Sequence, residues 1–116
     1  MASGLKQPET MDTLDTLEQT IRARRTGDPA SSYVAKLTGK GRAKIAEKLG
    51  EEAIETVIAA VAQDKAALTS EAADLIFHLL VLLADADITL NDVRAELARR
   101  EGVSGLDEKA SRPKEP

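Results

Sequence analysis

Apolar positions along this chain recur with helical spacing, and alternation of period two never lasts more than a few residues. Leu14, Leu17 and Ile21 stand at i, i+3 and i+7, which predicts an amphipathic helix from Met11 to Arg24. Thr26-Gly27-Asp28-Pro29 carries turn chemistry and stops it. Ser31 or Ser32 then caps a short helix bearing Tyr33 and Leu37, and Gly39 and Gly41 punctuate the chain again. The Pro-free stretch from Arg42 to Gln63 reads as a long helix whose one weak spot is Gly50. A break near Asp64 leads to another helix from Ala66 to Ala84. Thr89 is placed to cap a last helix ending at Arg100, and Asp92 favours the same N-terminus. Residues 1–10 are expected as an N-terminal tail, 11–105 as one domain, and 106–116 as a polar tail with a partial functional role. The fold class is all-α, a bundle of four to five helices.

Two of these helices have an unusual distribution. From Val57 to Ala62 every residue is apolar, so the second half of the long helix is expected to be buried, in a core or a subunit interface. The following helix is apolar around most of its circumference, from Leu75 to Leu83. Set into it are Glu71, Asp74 and His78, at i, i+3 and i+7, on an arc of roughly 60°. Polar groups on so apolar a helix are expected to be partly buried, and a buried carboxylate needs a cation or a donor.

Acids also sit at the edge of the apolar stripe of the preceding helix, as Glu51-Glu52-x-x-Glu55. A short connection makes the two helices antiparallel neighbours, so Glu52 and Glu55 can face Glu71 and Asp74. Carboxylates converging in this way repel, and a hard divalent cation relieves the repulsion. All-oxygen ligation suits Mg²⁺, with Mn²⁺ possible, and needs neither Cys nor a His ligand. Glu52, Glu55, Glu71 and Asp74 are the candidate metal ligands. Glu51 is the candidate for orienting or deprotonating a water. His78 is expected to support the ligands through a hydrogen bond to Asp74 rather than to bind metal itself.

Composition narrows the chemistry. Among 116 residues there is no Cys and no Trp, one His, one Tyr and one Phe. Cysteine nucleophiles, disulfides, Cys-ligated zinc and multi-His sites within one chain are thereby excluded. A di-iron carboxylate bundle would require ExxH motifs, which are absent. Acids outnumber bases, giving a net charge of −4. With almost no aromatics, that balance argues against nucleic-acid binding. Removing the five candidate acids from the −4 leaves +1, so the acidity is equal in size to one cluster. A small phosphorylated ligand is not excluded. Lys36, Lys40, Lys44 and Lys48 recur every four residues. They could form a cationic rim for phosphate oxygens, joined by Arg25, Lys109 and Arg112. Ordinary charge compensation along a helix is the competing account of the lysines. No apolar run reaches membrane-spanning length and Met1–Thr10 has no signal-peptide core, so a cytoplasmic location is expected and no membrane association.

The stretches GDPASSYVAKL (27–37), KIAEKLGEEAIETVIAA (44–60), EAADLIFHLLVLL (71–83) and SGLDEKASR (104–112) give the chain a family resemblance. It resembles the all-α nucleotide pyrophosphohydrolases of the MazG type, and within them the phosphoribosyl-ATP pyrophosphohydrolase family of histidine biosynthesis. The resemblance spans residues 14–112, with Val34 where the family pattern has Thr. It implies a MazG-like bundle, hydrolysis of phosphoribosyl-ATP to phosphoribosyl-AMP and pyrophosphate, Mg²⁺ as cofactor and a homodimer. Two alternatives are a pyrophosphohydrolase acting on another nucleoside triphosphate, and a helical metal-binding or oligomerisation module without turnover.

Overall fold

The computed structural model describes residues 12–102, together with Gly105 and Lys109. Five helices follow one another: α1 (Thr13–Arg24), α2 (Tyr33–Gly39), α3 (Arg42–Ala62), α4 (Lys65–Asp85) and α5 (Leu90–Arg100), with no strand among the described residues. The all-α expectation holds, and the boundaries follow local chemistry. Asp12, Ser32 and Asp64 cap α1, α2 and α4 by accepting from the amide three residues on. Thr89 and Asp92 form a reciprocal capping box at α5. Helix α3 starts without a side-chain cap. Its N-cap Gly41 has φ +98°, a left-handed conformation that costs glycine little.

Helices α3 and α4 form the central hairpin, joined through Gln63 and Asp64 and packed along their length. Its open end is tied by Arg42, whose Nε donates to Asp85 Oδ2 at 2.7 Å and whose Nη2 donates to the Asp85 carbonyl at 3.1 Å. Helix α1 packs on α4, and α2 sits where α1, α3 and α4 meet. The core consists of Ile21, Val34, Leu37, Ile45, Leu80, Val81 and Ala84, with Phe77 and Leu90 packed against it. Helix α5 buries no residue and is held by polar ties. Glu18 accepts from the Leu90 amide at 2.7 Å, and Arg94 reaches Asp15 at 2.8 Å. Arg22 donates to the Ile88 carbonyl at 2.8 Å, which commits it to the α4–α5 turn.

Two expectations change. In the second half of α3 only Ala59 is buried; Val57 is 61% exposed and Val61 80%. No element of the described chain covers this side, because α1 and α2 pack against α4 and the first half of α3. Helix α4, in turn, is long and apolar enough to cross a membrane by length and composition, which the sequence reading had not expected. Its apolar residues are used otherwise, since Leu80, Val81 and Ala84 belong to the core.

Candidate active site

Glu52 and Glu55 lie one helical turn apart on α3, and Glu71 lies opposite on α4. One carboxylate oxygen of each falls within 4.8 Å of the others. Glu52 is buried, Glu71 half-buried and Glu55 exposed, so the group opens to solvent on one side. Glu52 Oε1 and Glu71 Oε1 are buried and have no hydrogen-bond partner. Burial is the main cause that pushes the Glu52 carboxyl above the ordinary carboxylate range, followed by the charge of Glu55. Glu71 is pushed up by the same two causes in the same order. Asp74, one turn along α4, is exposed and adds its field to both. It stands beside the close group rather than inside it.

This donor set fits a hard divalent cation. Oxygen atoms converge from two helices, and two buried ones lack any partner in the protein. Thr56 fixes the helices at this level. Its hydroxyl lies 2.8 Å from the Glu52 carbonyl and 3.2 Å from the Glu71 carbonyl, so it can donate within α3 or across to α4. Thr56 lies on the apolar stripe of α3 and is not among the residues singled out from the sequence. A hydroxyl on that stripe, one turn after Glu52, was the available signal.

Beside the acids lies a cavity of about 320 Å³, lined by Tyr33, Lys36, Leu37, Lys40, Lys44, Lys48 and Glu51. Tyr33, Lys36, Leu37 and Lys40 stand at i, i+3, i+4 and i+7 along α2 and its cap, and Lys44, Lys48 and Glu51 at i, i+4 and i+7 along α3. The cavity is therefore the seam between two helical stripes. All four lysines meet there although Gly39–Gly41 interrupts the helix between them. Lys48 Nζ is 3.1 Å from Glu51, and Lys44 Nζ is 3.1 Å from Glu47. The Glu51 carboxylate holds the Lys48 ammonium above the usual lysine range. Lys36 and Lys40 make no ion pair among the described residues.

Other candidates stand elsewhere. Glu51 faces the lysines and not the acid group. Arg25 does not line the cavity, Lys109 is exposed and outside it, and Arg112 lies outside the described residues. His78 is buried, and its bond to Asp74 goes to the backbone carbonyl, 2.8 Å from Nδ1, rather than to the carboxylate. An i−4 carbonyl lies within reach of a helical side chain, and Asp74 itself is exposed. The other ring nitrogen, Nε2, meets the Tyr33 hydroxyl at 2.9 Å.

The family model described as phosphoribosyl-ATP pyrophosphohydrolase matches residues 14–101. A protein named phosphoribosyl-ATP pyrophosphatase from Rhizorhabdus wittichii is 67% identical over 102 residues, covering 88% of this chain and 96% of that protein. Proteins of the same name from Novosphingobium aromaticivorans and Erythrobacter litoralis are 65% and 63% identical. These matches cover 85% and 88% of this chain, and 92% and 98% of those proteins.

Proposed function

The chain belongs to the phosphoribosyl-ATP pyrophosphohydrolase family, and from that premise we propose how its residues carry the reaction. The protein is an enzyme of histidine biosynthesis that hydrolyses phosphoribosyl-ATP to phosphoribosyl-AMP and pyrophosphate. Glu52, Glu55, Glu71 and Asp74 hold Mg²⁺, for which Mn²⁺ can substitute. The metal, when bound, neutralises phosphate charge and makes a water easier to deprotonate. The observation that carries this reading is the pair of buried, partnerless carboxylate oxygens on facing helices next to a lysine-lined cavity.

The chain's own residues divide the remaining work. Lys36 and Lys40, unpaired among the described residues, take the first phosphate oxygens, and Lys44 and Lys48 complete the cradle for the leaving pyrophosphate. A phosphate arriving at Lys48 competes with Glu51 for the ammonium. Glu51, once released, can orient the attacking water as a general base. His78 keeps the Asp74 turn in register through the carbonyl of that residue. The test is pyrophosphate release from phosphoribosyl-ATP with and without Mg²⁺, beside a panel of nucleoside triphosphates. Mg²⁺-dependent release from phosphoribosyl-ATP, well above the panel, is expected. Preferred turnover of another triphosphate would overturn the substrate, and no release from any of them would overturn the enzymatic reading.

A homodimer is part of the same proposal, with the enzyme working in the cytoplasm and binding neither membrane nor nucleic acid. Ile54, Val57, Ile58 and Val61 form an i, i+3, i+4, i+7 stripe on α3, and Ile54 is 62% exposed. Ile76 and Leu79 are exposed on α4. A contiguous apolar stripe of this kind is costly in water and suits a second copy of the hairpin. Light scattering at micromolar concentration should give twice the chain mass. Val57→Asp combined with Val61→Asp should give the monomer or an unstable protein, and a wild-type monomer would sink the proposal.

A further inference from the structure

The chain is poor in rings, yet it gathers them in one place. Tyr33, Phe77 and His78 are its only tyrosine, phenylalanine and histidine. All three touch: Tyr33 stacks on Phe77 with centroids 6.1 Å apart, and His78 meets both edge-on, at 5.8 Å and 5.2 Å. Phe77 is packed against the core and His78 is buried, but Tyr33 remains 48% exposed and lines the lysine cavity.

The Tyr33 ring is held in place from two sides. A carbonyl oxygen can only accept, so the hydrogen bond from His78 to Asp74 puts the proton on Nδ1. In the neutral ring Nε2 is then an acceptor, and the Tyr33 hydroxyl donates to it at 2.9 Å. That bond uses the tyrosine's only proton and leaves the exposed part of the ring as an apolar surface among cations. An aromatic surface beside four lysines suits a ligand that is anionic at one end and planar at the other.

We propose that Tyr33 is a substrate-contacting, specificity-determining residue, whose ring packs against the nucleoside portion of the substrate while the lysines hold its phosphates. This rests on the substrate reading above, and it assigns Tyr33 to the half of the substrate that pyrophosphate lacks.

The two products separate the halves. Inorganic pyrophosphate carries only the phosphate end and phosphoribosyl-AMP carries the nucleoside. Tyr33→Leu is expected to raise KM for phosphoribosyl-ATP about tenfold, the size of one ring stack, and to leave pyrophosphate inhibition within about twofold of wild type. Tyr33→Phe keeps the ring and should keep KM near wild type. If Tyr33 only braced the cavity, both constants would rise together, and that result overturns the proposal, as does an unchanged KM in Tyr33→Leu.

A second readout needs no variant. With one Tyr and no Trp, the intrinsic fluorescence of the protein comes from Tyr33. Phosphoribosyl-AMP should quench it saturably, after correction for nucleotide absorbance, and pyrophosphate should not. Should phosphoribosyl-ATP not be turned over at all, the substrate reading fails separately. Titration with ATP then reads ring contact directly, and an unquenched tyrosine overturns the proposal.

Discussion

Glu51 and Glu52 are adjacent in sequence and belong to opposite halves of the site. Successive residues on a helix diverge by about 100°, which turns Glu51 towards the lysine cavity and Glu52 towards the acid group. The two halves differ in how their charge is balanced. On the cavity side Glu51 and Glu47 each have a lysine at 3.1 Å. On the acid side Glu52 and Glu71 keep buried oxygens with no partner. A folded chain rarely leaves such atoms unsatisfied, because each costs the desolvation of a polar group. The lesson is that the acids of the balanced half find cations within the chain, with Lys36 and Lys40 left over, whereas those of the unbalanced half keep two buried oxygens without a partner among the described residues.

The strongest way to break that contrast is to remove charge from the unbalanced half. Glu52→Gln or Glu71→Gln should lower Mg²⁺-dependent pyrophosphate release by about a hundredfold to a thousandfold. The same variants should melt no lower than wild type in the absence of metal, since they remove a repelling charge. Retained turnover, or a marked loss of metal-free stability, would contradict the assignment.

Removing cations from the other half should do less. Lys36→Ala and Lys40→Ala are each expected to raise KM and to weaken pyrophosphate inhibition by about tenfold, as the loss of one charge-assisted contact to phosphate does. Lys44→Ala should do less than Lys36→Ala in the same steady-state assay. Equal effects at all four lysines would mean that the pairs with Glu47 and Glu51 do not matter.

The contrast also has a pH signature. Burial and the neighbouring charge of Glu55 raise the folded-state values of Glu52 and Glu71, whereas in the unfolded chain both titrate at the ordinary 4.5. Above 4.5 the folded protein therefore binds more protons than the unfolded chain, and stability falls as pH climbs through the raised values. Metal-free protein should melt higher at about pH 5 than at about pH 7.5, other groups contributing equally. Thermal scans should show the difference shrinking in Glu52→Gln and under saturating Mg²⁺. A difference unaffected by both would place its origin elsewhere.

The smallest effect concerns the spacing between the acid-bearing helices. Thr56→Val removes the hydroxyl shared between the Glu52 and Glu71 carbonyls and should cost about 1 kcal/mol in chemical denaturation. It should leave pyrophosphate inhibition unchanged, because Thr56 is remote from the lysines.

Much of the acid half was legible in the sequence. Periodicity alone put Glu52 and Glu55 on one turn of α3 and Glu71 and Asp74 on one turn of α4; the short connection brings Glu71 up to Glu52 and Glu55, and Asp74 stands beside that group. The helix ends were legible because Ser32, Thr89 and the glycines are local signals. What local pattern does not contain is which helix covers which. Val57 to Ala62 reads as buried, yet that side of α3 is open in the single chain. Tyr33 and His78 are 45 residues apart, and nothing near either marks the bond between them. The lysines are marked by their four-residue spacing, but Gly39 and Gly41 interrupt the helix that this spacing would need, so spacing alone does not bring them together. It took the left-handed turn at Gly41 to bring the two stripes together.

The α3–α4 hairpin is closed at both ends, by the Gln63–Asp64 connection at one and by the grip of Arg42 on Asp85 at the other. Its acids lie in between. A hairpin open at one end could splay and let like charges drift apart. One fastened at both ends behaves as a locked caliper, with its jaws set before anything enters. A cation of the kind proposed above would meet a gap already spaced for it, so that the fixed opening as well as charge would decide which ion fits.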